Sequence, residues 1–229
     1  MEILPNGFTL YIPPSAFPLS TDSMALASFI RLPKNARVLD LGSGCGTLGL
    51  LLCAKDAGCT VTGVELDEAS HAGALENIRR NRLENRKNSI WGDIRNTNAL
   101  VPAGSFSVCI SNPPYFSGGA ASAAHPTARR EDLCSLQDLF RAAAWALQWG
   151  GDLYLVHRPE RLAELCALGS ANALEAKRLR LLRHKQGGTI SLILLQFRKG
   201  GKPGLILDDV CLFEADGTPS PDYAEIYHI

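Results

Sequence analysis

Val38-Leu39-Asp40-Leu41-Gly42-Ser43-Gly44-Cys45-Gly46 is the stretch on which the reading of this chain turns. Val38 to Leu41 is a mostly apolar run of strand length, and Leu48, Leu51 and Leu52 beyond it stand at helical spacing. The three glycines between them allow a turn that side chains would obstruct. A strand, a glycine-rich turn and a helix in this order either hold a ligand against the helix N-terminus or simply make a tight connection.

Neighbouring residues bear on that choice. Val61-Thr62-Gly63-Val64-Glu65 is a second strand, ending in an acid 19 residues after Gly46. A carboxylate at about that distance commonly takes ribose hydroxyls. The glycine spacing is Gly-x-Gly-x-Gly, not the Gly-x-Gly-x-x-Gly of dinucleotide sites, and Asp40 stands just before it. Asp40 would repel a pyrophosphate, which argues against an NAD-dependent oxidoreductase. It would attract S-adenosylmethionine, which carries sulfonium and ammonium charges and no phosphate. A helix from about Asp67 carries Ala72, Leu75 and Ile78, and the short strand Ser89-Ile90-Trp91 leads to Gly92-Asp93-Ile94. Asp93 is either a turn residue or the acceptor for the N6 amine of the cofactor's adenine, with the Ile94 amide facing the ring.

Phe106-Ser107-Val108-Cys109-Ile110 is a further buried strand, and it delivers Ser111-Asn112-Pro113-Pro114-Tyr115-Phe116. Proline fixes φ and draws the preceding residue towards extended geometry, so Asn112 and the Pro113 carbonyl are held at set angles. An exocyclic amine on a planar base, or an amide nitrogen, is a poor nucleophile because its lone pair is delocalised. The Asn112 side-chain oxygen and the Pro113 carbonyl can each accept one N–H. This favours a pyramidal nitrogen with its lone pair on an electrophile, while Tyr115 stacks on the planar group. Acceptors placed where positive charge develops are the mirror image of an oxyanion hole. Alone, Asn-Pro-Pro reads equally well as a turn after a strand. Asn112, Pro113, Pro114 and Tyr115 are the candidate catalytic residues, with Phe116 a candidate substrate contact.

Elsewhere, residues 1–20 read as a turn-rich segment across the surface, and Ser20-Thr21-Asp22 can cap a helix through Met24, Leu26 and Ile30. Gly118 to Ala124 is rich in small residues, so 116–134 reads as a substrate lid. Arg129 and Arg130 at its end are either solvated or phosphate contacts. A helix Leu136–Trp149 stopped by Gly150-Gly151, a strand Asp152–Val156, a helix Pro159–Leu168 and strands Ala176–Leu182 and Thr189–Phe197 follow. This alternation predicts an α/β fold: a doubly wound, mostly parallel sheet with helices on both faces and an antiparallel C-terminal edge. No repeat or linker divides 1–229, which reads as one domain with 1–35 as an N-terminal cap segment. The basic run from Lys177 to Lys185, including Lys177 and Arg178, either tracks a phosphate backbone or protects an edge strand.

With 46% hydrophobic and 20% charged residues in 229, the chain is a folded protein with a substantial core. No apolar run approaches the ~18 residues that span a bilayer, and no signal peptide is visible, so a cytoplasmic location is expected. The seven cysteines form no Cys-x-x-Cys pair and read as reduced core residues rather than metal ligands. Net charge is zero, yet six acids from Asp208 to Glu225 follow the last Lys or Arg, Lys202. The first 202 residues therefore hold 23 basic and 17 acidic residues, a balance of +6 that is compatible with a nucleic-acid partner.

Taken together, the set resembles class I S-adenosylmethionine-dependent methyltransferases with an Asn-Pro-Pro-Tyr motif. More narrowly, it resembles bacterial tRNA adenine-N6 methyltransferases that modify the adenine beside the anticodon of a valine tRNA. The residues that carry this are Phe17 to Ala27, Asp40 to Gly46, Glu65, Gly92-Asp93, Asn112 to Phe116, Ala128 to Glu131, and Tyr223 to Tyr227. The resemblance implies a Rossmann-like, mostly parallel seven-stranded sheet. It also implies S-adenosylmethionine held by Asp22, Asp40, Gly42, Gly44, Gly46, Glu65, Asp93, Ile94 and Asn112, and a tRNA substrate with no metal, membrane or obligate protein partner. Families with the same motifs act on DNA adenine, rRNA guanine and protein glutamine. Another exocyclic or amide nitrogen is thus the alternative acceptor, and a non-catalytic binding module the alternative class.

Overall fold

Alternate residues of the apolar runs turn to opposite faces of a sheet, and both faces are covered. The computed structural model describes residues 2–4, 7–14, 16–114 and 134–227. Within them, β1 (Glu2–Ile3) and β2 (Thr9–Leu10) form a small antiparallel ladder. There follow α1 (Thr21–Phe29), β3 (Arg37–Leu41), α2 (Thr47–Lys55), β4 (Thr60–Glu65), α3 (Glu68–Arg80), β5 (Lys87–Trp91), the short α4 (Thr97–Leu100) and β6 (Phe106–Ser111). The second half supplies α5 (Leu136–Ala146), β7 (Leu147–His157), α6 (Leu162–Ala171), β8 (Leu174–Lys185), β9 (Ile190–Lys199), β10 (Ile206–Phe213) and α7 (Pro221–Tyr227). Strands β3 to β10 make one sheet in the order β10-β8-β9-β7-β6-β3-β4-β5. The chain moves outward from β3 through β4 to β5 and then returns to β3's other side with β6. The crevice beyond the carboxyl ends of β3 and β6 is therefore the switch point at which such sheets bind ligands.

Val38, Val61, Val108, Ile110 and Tyr154 face one layer with Met24, Leu51 and Ile78 of α1, α2 and α3. Leu39, Leu41, Val64, Cys109 and Leu153 face the other, against Leu139, Phe140 and Ala143 of α5 and Leu165 of α6. Period-two alternation thus explains two cores from one set of strands.

Several expectations change in detail. The sheet has eight strands rather than seven: the expected antiparallel pairing is present, with β9 antiparallel to both β7 and β8, and a further strand, β10, adds to the edge parallel to β8. β10 carries Asp208 and Asp209 in a stretch that reads as an acidic tail, so no alternation announces it. Its pairing brings Arg180 onto Asp208 at 2.8 Å and Arg183 to within 3.9 Å of Asp209, so the acidic and basic segments neutralise each other. Helix α5 ends at Ala146, not Trp149, because Leu147 already pairs with Phe106 in β7. Gly150, at φ 81°, then sits in the register shift before Asp152 meets Val108.

The N-terminal segment is more than a surface strap. Leu4 and Leu10 are fully buried in the core. Asn77 on α3 and Asn81, which caps its C-terminus, hold it much as a neighbouring strand would. Asn77 accepts from Tyr11 N at 2.7 Å and donates to Tyr11 O at 2.8 Å; Asn81 does the same for Thr9, both at 2.8 Å.

Candidate active site

Gly42, Gly44 and Gly46 have φ of 73°, 55° and 82°, the left-handed region that glycine enters without strain. Gly46 caps α2, and a Cβ there would lie 2.6 Å from Lys87 Nζ. The loop is pinned from below. Glu65 Oε2 accepts from Gly44 N at 2.7 Å, its Oε1 accepts from Asp67 N at 2.7 Å, and Asn77 Nδ2 donates to Cys45 O at 3.0 Å. Glu65, expected at ribose hydroxyls, is thus first a brace for the loop. Each of its oxygens keeps a second lone pair for a further donor.

Asp40 is 1% exposed at the end of β3, and neither of its carboxyl oxygens has a hydrogen-bond partner. Burial pushes its carboxyl up to about 7, Lys87 opposes that rise, and Glu65 adds to it. Ser43 Oγ and Lys87 Nζ are likewise buried without partners. Native proteins rarely leave such groups unsatisfied, and a buried carboxylate beside a glycine-rich loop suits a cationic ligand. The donor set therefore fits S-adenosylmethionine.

Asn112 follows β6 on the strand next to β3. Asp40 and Ile110 are register partners, so Asn112 and Gly42 each stand two residues beyond a shared rung. The Asn112 amide donates from Nδ2 to Ser23 Oγ at 3.1 Å, which turns its NH2 group onto α1. Asp22, next to Ser23 in the first turn of α1, is half-buried. Asp93 receives Arg95 through its backbone N at 2.9 Å and its Nε at 2.8 Å, and the Arg95 hydrogen bond lowers its carboxyl below the usual range. Ile94 opens the short 3-10 turn after it. Leu66 and Trp91, at the ends of β4 and β5, are 42% and 58% exposed, with the indole N–H donating to Leu66 O at 3.0 Å.

The loop, Asp40, Glu65 and Asn112 are therefore brought together around adjoining strand ends. Lys177 and Arg178 stand three strands away from β6, on β8. Arg178 is buried, its Nη1 donates to Phe29 O at 3.3 Å, and its guanidinium lies 4.3 Å over the Phe29 ring. Lys177 Nζ donates to Lys202 O at 2.8 Å. Tyr115, Phe116, Arg129 and Arg130, with nearly all of the expected lid, lie outside the described residues. A groove of about 310 Å3 beside the end of α1 is lined by Phe29, Arg31, Lys55, Arg178, Arg180 and Glu225. Lys55 there caps α1, donating to the carbonyls of Ala27, Ser28 and Ile30 at 2.8–2.9 Å. Among the described residues, no group of His, Cys, Asp or Glu could hold a metal ion and no helix is long and apolar enough to cross a membrane.

The model of the methyltransferase small domain matches residues 18–168. The chain belongs to this family. Among relatives of this methyltransferase, a tRNA1(Val) (adenine(37)-N6)-methyltransferase of Tolumonas auensis is 32% identical over 212 residues, covering 91% of this chain and 87% of that protein. The fold is shared with an Agrobacterium tumefaciens protein described as a predicted O-methyltransferase, at TM-score 0.75 and 22% identity over 90% of this chain and 95% of that one. A T. thermophilus 16S rRNA N2 G1207 methyltransferase, solved with AdoMet and guanosine, aligns at TM-score 0.58 and 26% identity over 81% of this methyltransferase and 45% of that chain.

Sequence reasoning did not single out Ser23, Asn77 or Lys87. Lys87 left one trace. Gly49 lies inside α2, where glycine costs about 1 kcal/mol relative to alanine, and a Cβ there would lie 2.8 Å from Lys87 Nζ and Cε.

Proposed function

We propose that this methyltransferase transfers a methyl group from S-adenosylmethionine to the N6 amine of an adenine in a tRNA anticodon loop. The observation that carries the reading is the adjacency of Asn112 to the glycine-rich loop and Asp40, across neighbouring strands β6 and β3. The names of the sequence relatives support the acceptor.

The bound cofactor supplies a methyl group on a sulfonium, so no metal is needed to make an electrophile. Asp40 and Glu65 would hold the cofactor, with the left-handed glycines letting it approach the backbone of the loop. The Ser23 hydroxyl engages the Asn112 Nδ2 and so sets the plane of the amide, with Oδ1 as the acceptor for one amine hydrogen. The Pro113 carbonyl takes the other. Holding both hydrogens out of the plane of the base concentrates the nitrogen lone pair along the line of attack. Positioning of this kind supplies a large share of catalysis. The proton released on methylation is strongly acidic and passes to solvent. Bases in a loop are the cheapest to extrude, and the pocket then reads the Watson–Crick edge.

Nucleoside mass spectrometry on total tRNA from a strain lacking the gene, with and without the restored wild-type copy, tests this. Loss and recovery of N6-methyladenosine is the expected result. Unchanged N6-methyladenosine sinks the tRNA reading and turns attention to an rRNA amine. The guanosine-bound rRNA methyltransferase with a similar fold is the observation that favours that second reading.

A further inference from the structure

Lys87 is the first residue of β5, an edge strand of the sheet, yet only 3% of it is exposed. Its terminal carbon and nitrogen lie beneath α2 in the space that side chains at Gly46 and Gly49 would occupy. Its ammonium ends near the N-terminus of α2, whose dipole is positive and gives it no stabilisation. No hydrogen-bond acceptor meets Nζ. Burial holds its basicity down, and Asp40 is the strongest influence the other way. The other groups that act on it are the thiols of Cys45, in the glycine turn, and Cys53 of α2, both raised by their surroundings and so neutral. Asp40 in turn feels two charges, Lys87 and Glu65, with opposite effects.

We propose that Lys87 is a positioning residue for cofactor capture: its buried ammonium, under the same glycine loop as Asp40, favours the carboxylate form of Asp40 over the protonated one, so that more of the protein meets the cofactor's cation already charged. The inference rests on S-adenosylmethionine being the cofactor. Lys87 has a second consequence. Two cations share Asp40 once the cofactor binds, so Lys87 helps capture where Asp40 would otherwise be protonated and opposes it where Asp40 is ionised in any case.

Calorimetric titration of S-adenosylmethionine into the ligand-free full chain, from about pH 6 to about pH 9, tests this with wild type and Lys87→Met. At the acid end the variant should bind about tenfold or more weakly, and the pH of half-lost affinity should move up by about one unit or more. At the alkaline end it should bind as tightly as wild type or more tightly, so the two curves cross. A loss that is equal at every pH would mean that Lys87 only packs the loop, and would overturn the proposal. Should Lys87→Met fail to fold, Asp40→Asn and Asp40→Asn/Lys87→Met decide the matter, because the double variant carries no unbalanced buried charge. Affinities that do not vary with pH in either variant, and that are equal or somewhat tighter in the double variant, are expected; a further loss on adding Lys87→Met would show that Lys87 does not act through Asp40. Wild type that takes up no S-adenosylmethionine at any pH would instead overturn the cofactor reading on which the inference stands.

Discussion

The C-terminal edge of the sheet and the floor of the glycine loop treat charge in opposite ways. At the edge, Arg180 meets Asp208 through two hydrogen bonds of 2.8 and 3.0 Å and reaches Glu225 at 3.5 Å. Beneath the loop, Asp40 and Lys87 are buried more deeply and neither has a hydrogen-bond partner. Burying an unpaired charge is expensive, so a fold selected for stability alone would pair or remove it. Satisfaction by a partner, rather than charge or burial alone, therefore separates charges that hold the fold from charges held ready for a ligand.

Neutralising Asp40 should sharpen that contrast most. A carboxyl raised from 3.8 to about 7 adds stability that is complete below its unfolded value and is lost as pH rises through about 7. Ligand-free wild type should therefore lose, through this group, roughly 4 kcal/mol between about pH 4 and about pH 7, a loss that Asp40→Asn should abolish. His157 works the other way in the same window. Burial lowers its imidazole from 6.5 to about 4, so its contribution is present above 6.5 and lost as pH falls towards 4. The measurement is accordingly the difference between variant and wild type in chemical denaturation at each pH. Parallel curves would break the comparison by showing that Asp40 is not a costly charge.

Asn112→Ala should come next, removing about 2.7–4 kcal/mol of transition-state stabilisation, as loss of one oxyanion-hole donor does. Turnover should fall while calorimetric affinity for S-adenosylmethionine holds. Affinity that falls as far as turnover would move Asn112 from the chemistry to the cofactor. Asn77→Ala should cost about 1–3 kcal/mol in urea denaturation, because it strands both backbone groups of Tyr11 and the Cys45 carbonyl. At the paired edge the effects should be smallest. Arg180→Ala is expected to cost about 1 kcal/mol, and Arg183→Ala, whose Asp209 partner is 69% exposed at 3.9 Å, less than about 0.5 kcal/mol. An Arg183 effect larger than that of Arg180 would invert the ranking on which the contrast rests.

Much of this was legible from residue order. The glycine loop, Asp40 and the Asn112 strand end announced themselves because each rests on a local demand: left-handed backbone, alternating burial, proline-fixed φ. Glu65 was legible for its position, yet its hydrogen bond from Gly44 N was not, since that depends on how close the end of β4 comes to the loop. Arg178 misled for a related reason. In sequence it belongs to a basic run, and only the approach of α1 to β8 puts it over Phe29. The edge strand β10 went unread because its acids hide the alternation, and the arginines that neutralise them stand about 28 residues earlier, Arg180 against Asp208.

By itself, then, the sequence determined the succession of strands and helices, the glycine-lined turn at their switch point and the chemistry expected there, because periodicity and backbone permissiveness are properties of neighbouring residues. Only the tertiary structure decided that Asn77 and Asn81 at the end of α3 would tie down the N-terminus, that Ser23 would orient Asn112, and that Lys87 would lie buried under two glycines of the same loop region as Asp40. Those outcomes depend on which distant residues meet in a low-dielectric interior, where a missing partner costs more than any local preference can supply.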